Sequence, residues 1–308
     1  MTAPAVGAVV LSLLGWTSIP IFLRYFAIGE QSIDAWTANG WRYAISALIW
    51  APSIFYTLWR GTLPPSIWRA ALVPSFWNVA AQICFALAPY YVDPGLMTFS
   101  MRLQIIFLTL GAAILFPVER RVLRSPAFVL CLAVVLFATM GTVALSPKGL
   151  GSGQGAGVLL AISAGVMYAM YALSVRRYMT GINPITAFAV VSQYTAAALV
   201  ACMLVWGRDR GWHAVETLDA FHWTLLIASS VIGIGLGHTF YFYSIARLGV
   251  VVAAGIVQLQ PITVAIASSV IFPEDRMTAA QWVTGVTAVA GAVMMMVVQG
   301  RLLKNAAK

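Results

Sequence analysis

Apolar residues run along this chain in blocks of about twenty, parted by short polar stretches, from one end to the other. A helix that crosses a ~30 Å hydrocarbon core needs roughly 20 mostly apolar residues. The blocks predict ten such helices, over 4–26, 34–59, 68–91, 95–116, 124–146, 155–179, 184–206, 221–246, 250–272 and 278–300. In lipid every backbone group must be satisfied within the protein, so the expected architecture is an all-α integral membrane bundle.

The polar residues inside these blocks repeat. Leu103-Gln104 is followed by Phe116-Pro117-Val118-Glu119-Arg120, and a shift of 156 positions reads Leu259-Gln260, then Phe272-Pro273-Glu274-Asp275-Arg276. Trp16 through Arg24 also lies over Tyr168 through Arg176, and Arg42-Tyr43 over Gln193-Tyr194. The reading is of two five-helix repeats, 1–148 and 158–308, joined by a Gly-rich linker at 149–157. That linker has no strand before it and no Lys-Ser/Thr after it, so it is no phosphate loop. Five is odd, so the halves must cross the membrane in opposite directions, and such inverted repeats mark secondary transporters.

Composition sharpens this picture. Only 9% of the 308 residues are charged, against about 25% in a soluble domain. The net charge of +9 is spread over short loops with no stripe of stacking aromatics, which excludes a nucleic-acid surface. With the N-terminus cytoplasmic, eleven Lys and Arg fall on inner segments and five on outer ones, so both termini are expected inside. Cys84, Cys131 and Cys202 sit in separate blocks and form no metal or disulfide framework. No basic stretch precedes the first block, so no cleavable signal is expected.

On these residues the chain resembles the drug/metabolite transporter superfamily, in its branch of ten-helix EamA-type exporters. The Trp16 helix, the Arg42-Tyr43 pair, and Pro261, Glu274, Thr278, Gln281, Gly285 and Gly291 stand where that family expects them. Ile105 departs from the pattern, since the other half has Pro261 at the equivalent place. Trp16-Thr17-Ser18 with Arg24, and Ile83 through Leu87, are similar to the bacterial exporters of aromatic amino acids within it. The resemblance implies a bacterial inner-membrane exporter of amino acids, aromatic ones first, with no cofactor. A multidrug or other metabolite exporter of the same fold is the alternative.

The candidate substrate-binding residues are polar or aromatic and lie deep in the blocks. Asn78, Gln82 and Phe85 recur at helical spacing, as do His238 and Tyr241, and the shift of 156 carries Gln82 onto His238. The two are expected to face each other across a central cavity, interhelical hydrogen bonding being the alternative. Arg102 with Gln258, and Gln104 with Gln260, form a second related set. Residues two apart point to opposite sides of a helix, so these helices are expected to be polar on both sides. Arg42 and Arg102 are the charges inside blocks, each open to snorkelling or to pairing with Asp34 or Asp93. The other reading is a cation for a substrate carboxylate, and Arg102, with a polar repeat mate, is the stronger candidate. Trp16 and Tyr168 lie away from the interfacial belts and suit an aromatic substrate.

All nine acidic residues fall in loops or at block ends, which argues against a mid-membrane proton relay and for facilitated or weakly coupled efflux. No nucleotide-binding motif points to ATP. An intramembrane enzyme would need a catalytic cluster that is not present, and a channel is less well served by an inverted repeat than alternating access is. The oligomeric state is not written in the sequence.

Overall fold

A computed structural model describes residues 3–116, 120–149, 151 and 153–306. Among them there is helix and turn and no strand. Pro117, Val118 and Glu119 of the repeated motif, and Leu150 and Ser152 of the linker, lie outside the described residues.

The first half runs α1 (Ala3–Ile28), α2 (Ala35–Trp59), α3 (Ile67–Leu87), α4 (Pro94–Met101), α5 (Gln104–Leu115), a short α6 (Arg120–Leu123) and α7 (Pro126–Ala144). The second runs α8 (Gln154–Tyr178), α9 (Pro184–Trp206), a short α10 (His213–Thr217), α11 (Ala220–Ala228), a π-helical stretch Ser229–Leu236, α12 (Gly237–Leu248), α13 (Val250–Val257), α14 (Gln260–Ile271) and α15 (Ala279–Ala306). The starts obey local chemistry. Asp34, Asp93, Ser125, Asn183 and Asp219 each accept a backbone N–H of the turn that follows, and Pro94, Pro126 and Pro184 stand where a helix has no use for a donor.

Nine of the described helices are long and apolar enough to cross a membrane. The second predicted span is present as the 25-residue α2, whose Asn39 and Arg42 lower its hydropathy and keep it out of that set. Large apolar side chains face outward at full length, with Leu48 and Val270 each 74% exposed. A water-soluble monomer does not leave so much contiguous apolar surface open.

Helices pack across the halves. α2 lies on α9, α7 on α15, α3 on α8 and α1 on α12. α5 lies on α8 as α14 lies on α1. Small residues permit the tightest of these approaches. A Cβ on Gly15 would stand 2.9 Å from the Ile232 carbonyl oxygen, and one on Gly237 would stand 2.6 Å from the Trp16 indole nitrogen. Without a hydrophobic drive between helices in lipid, such close backbone contact supplies much of the association.

The prolines act differently from one another. Pro20 and Pro74 sit inside α1 and α3, which continue through them, whereas Pro261 stands in the first turn of α14, just after a break. The first half breaks at the same register without a proline: α4 ends at Met101 and α5 begins at Gln104, as α13 ends at Val257 and α14 begins at Gln260. Ile105 in place of Pro261 therefore does not make the halves bend differently.

Gly15→Ala should lower stability by about 1–3 kcal/mol, because the Ile232 backbone cannot move aside. Gly7→Ala, where nothing lies within 4 Å, should leave it unchanged. Thermal unfolding of both variants in detergent would read the difference, and equal melting points would refute the packing account.

Candidate functional site

At Arg102-Leu103 and Gln258-Leu259 the α-helical ladder gives way to tight turns. Arg102 N bonds the Phe99 carbonyl at 3.0 Å, and Leu259 N bonds that of Ile256 at 3.1 Å. The two breaks meet. Arg102 donates from Nη1 to Gln258 Oε1 at 2.9 Å and from Nη2 to Gln260 Oε1 at 2.7 Å. Gln260 Nε2 in turn donates to the Trp16 carbonyl at 2.8 Å. Thr17 and Thr263 join hydroxyls at 2.6 Å beside it.

This geometry corrects two expectations. Arg102 neither snorkels nor pairs with Asp34 or Asp93; it is 8% exposed and held by amide oxygens. Asp34 instead caps α2 through Thr37, and Asp93 caps α4 through Leu96. Nor do Gln258 and Gln260 point to opposite sides. A continuous helix would separate residues two apart, but the break between them turns both carbonyls toward one guanidinium. The side chain of Gln104, the repeat mate of Gln260, makes no such bond; its Cβ lies near Gly165 of α8, where α8 meets the break.

One turn away stands an aromatic cluster. Trp16 meets His238 edge-on at 5.1 Å and lies 5.0 Å from Tyr241, while Phe188 of α9 stacks on His238 at 4.0 Å. The π-helical stretch makes this possible. Its wider turns alter which carbonyls are engaged, and Gly233 offers its oxygen to the Trp16 indole at 3.0 Å. Such stretches are rare and gather at functional sites. His238 Nδ1 lies 3.0 Å from the Ile234 carbonyl oxygen.

A matching pair, again with one residue from each half, stands at α3 and α8. Tyr168 of α8 meets Phe85 of α3 edge-on at 6.2 Å, as Trp16 of α1 meets Tyr241 of α12. Asn78 is buried and donates to Thr195 Oγ1 of α9 at 2.9 Å. Gln82 and His238, expected to face each other, share no hydrogen bond; Gln82 is reached by Asn39, which donates to its backbone oxygen at 3.2 Å. Trp77 points elsewhere, into a cleft of about 160 Å³ beside Arg177 and Tyr178.

The sequence reading missed a buried ion cluster at the end of the bundle away from the termini. Arg24 donates to both carboxylate oxygens of Asp275, at 2.9 and 3.2 Å, and to the Pro89 carbonyl at 2.9 Å. Lys148 adds a bond to Asp275 at 2.9 Å. Three segments, two from the first half and one from the second, meet at one carboxylate, and Arg24 ties on a fourth at Pro89. A void of about 10 Å³, room for one water, lies between Asp93 and Asp275. The only signal in the chain was the acid-Arg pair of the repeat. On the connection between α9 and α11, Asp209, His213 and Glu216 bring ligand-type atoms within 4.8 Å of one another, but Asp209 and Glu216 are exposed, and such groups gather without a metal.

Comparison with known proteins bears on the second half directly. Residues 155–297 match the EamA-like transporter family. The match takes in α9, the π-helical stretch, the α13–α14 break and most of α15. A solved crystal structure aligns over 98% of this chain and 99% of its own, with a TM-score of 0.61 and 16% identity. At that identity the likeness shows the fold, and it extends across both halves. No curated protein matches the chain in sequence.

The ion cluster yields a pH dependence. Asp93 precedes α4 at the bundle mouth, and burial pushes its carboxyl from the ordinary 3.8 up to about 6; the Leu96 N–H opposes the shift and Asp275 adds to it. The folded state thus holds this proton more tightly than the unfolded one. The resulting penalty is complete above pH 6 and fades as pH falls toward 3.8. Asp93→Asn keeps the cap and removes the charge, so it should stabilise the protein at pH 7.5 by on the order of 2–3 kcal/mol. At pH 4.5 most of that gain should vanish. Melting curves at the two pH values would test this, and a gain independent of pH would contradict it.

Proposed function

We propose that this protein is a membrane transporter that exports amino acids, aromatic ones first, by alternating access between two inverted five-helix repeats. The observation that carries the reading is the meeting of the two helix breaks at Arg102, Gln258 and Gln260. Broken helices that face each other across a repeat interface are the usual setting of a carrier's midplane site. The EamA-like match of the second half and the cross-half packing of α1 on α12 and α3 on α8 support it.

The aromatic preference rests on the walls. In this reading Trp16, His238 and Tyr241, which cluster together, and Tyr168 would supply the aromatic surfaces, with Asn78, Gln82, Gln104, Gln258 and Gln260 as the polar groups. A stacked ring gains about 0.5–1.5 kcal/mol beyond its buried area, enough to rank tryptophan above leucine. Arg24, Lys148 and Asp275 form the latch that closes the end away from the termini, which in this reading faces outward from a bacterial inner membrane. Transport is facilitative or weakly coupled, because the buried acids Asp93 and Asp275 lie at the mouth and not at mid-depth.

The test is uptake of labelled tryptophan, phenylalanine, tyrosine and leucine into proteoliposomes, with and without a proton gradient. Saturable uptake favouring the aromatic three, needing no gradient and stimulated by unlabelled substrate on the far side, is expected. His238→Ala should reduce it at least fivefold by removing the surface on which Trp16 and Phe188 rest. Uptake that does not saturate would indicate a pore. Folded protein that carries none of the four would remove the amino acid assignment and favour another metabolite or a drug.

A further inference from the structure

Two arginines are buried within the bundle, and their surroundings differ. Arg102 spends two of its five N–H donors on amide oxygens of the opposite half, leaving only its Nε buried without a partner. Arg42 of α2, 1% exposed, has one hydrogen bond, from Nε to Ser229 Oγ at 3.0 Å. Its Nη1 is buried without a partner. No carboxylate forms an ion pair with it among the described residues. A guanidinium out of water with no counter-ion and a single acceptor is costly, and its fork matches a carboxylate edge-on.

Its place fits that role. Ser229 opens the π-helical stretch, and Gly233, one turn on, holds the Trp16 indole. The phenols of Tyr43, Tyr168 and Tyr90 lie within electrostatic range of the guanidinium. Tyr168 is also the ring that meets Phe85. Cation, hydroxyl and aromatic side chains therefore share one region of the bundle, around α2, α8 and the π-helical stretch.

We propose that Arg42 binds the substrate's carboxylate, and that Arg102 instead holds the two helix breaks together. This rests on the aromatic amino acid reading above and adds the group that would recognise the acid end. The substrate supplies the acceptors that Arg42 lacks. It enters as a zwitterion whose carboxylate takes the Arg42 fork while its ring reaches the Trp16 and Tyr168 walls.

The experiment is competition against labelled tryptophan uptake in proteoliposomes, using unlabelled tryptophan and tryptophanamide, which lacks the carboxylate. In the unaltered protein tryptophanamide should compete at least tenfold more weakly. Arg42→Gln should raise the KM for tryptophan at least tenfold and bring the two competitors to parity. If Arg42→Gln does not insert stably, Arg42→Lys, which keeps the charge and loses the fork, should lower the discrimination at least threefold. An unchanged ratio in the variant that folds, or equal competition in the unaltered protein, overturns the assignment to Arg42 while leaving aromatic transport intact. Absence of tryptophan uptake by the folded, unaltered protein overturns the transport reading and this inference with it.

Discussion

Inside hydrocarbon a helix cannot simply stop, because each freed N–H and C=O must find a partner or cost several kcal/mol. Here two helices stop and restart in mid-course, at Arg102-Leu103 and at Gln258-Leu259. Short i to i+3 bonds recover part of the ladder. The rest of the cohesion comes from side chains, with Arg102 spanning to Gln258 and Gln260, and Gln260 reaching on to the Trp16 backbone. A neutral amide in place of a carboxylate makes this a softer link than an ion pair. It engages two of the guanidinium's five donors without locking the halves as a buried salt bridge would.

The two ends of the bundle contrast with its middle. At the mouth away from the termini the link is ionic: Asp275, its side chain wholly buried, holds Arg24 and Lys148. Arg24 is the mostly buried partner and Lys148 the half-exposed one, so loss of Asp275 would leave the Arg24 charge without its counter-ion. At the opposite end Arg247 rests on the Tyr243 ring and Arg120 donates to the Ala113 carbonyl at 3.0 Å.

The π-helical stretch links these features to packing. Gly233 and Gly237 let α1 approach closely, and the altered bonding of the stretch leaves a carbonyl for Trp16. His238 is then sandwiched between Trp16 and Phe188. Close approach, displaced carbonyl and aromatic cluster depend on one another.

Much of the fold was legible in the chain, for a plain reason. Hydrocarbon thickness sets span length, and apolar blocks bounded by Asp, Ser, Asn and Pro announce where helices begin. The block predicted at 184–206 is α9 to the residue, and the shift of 156 that aligned Arg102 with Gln258 also aligns the two breaks. Periodicity could show that Trp16, Tyr168, Asn78 and His238 lie deep, but not what they touch. Whether Arg102 met Asp93 or Gln258, whether Gln82 met His238, and that Asp275 would gather Arg24 and Lys148 from far along the chain, are contacts between distant segments. Tertiary packing decided them, because a helical pattern specifies the face of a side chain and is silent on the partner across from it. The breaks themselves were hidden for the same reason. In the first half no proline or glycine marks the spot, and the turn exists because α8 lies against it at Gly165 and the opposite half supplies the amides that hold Arg102.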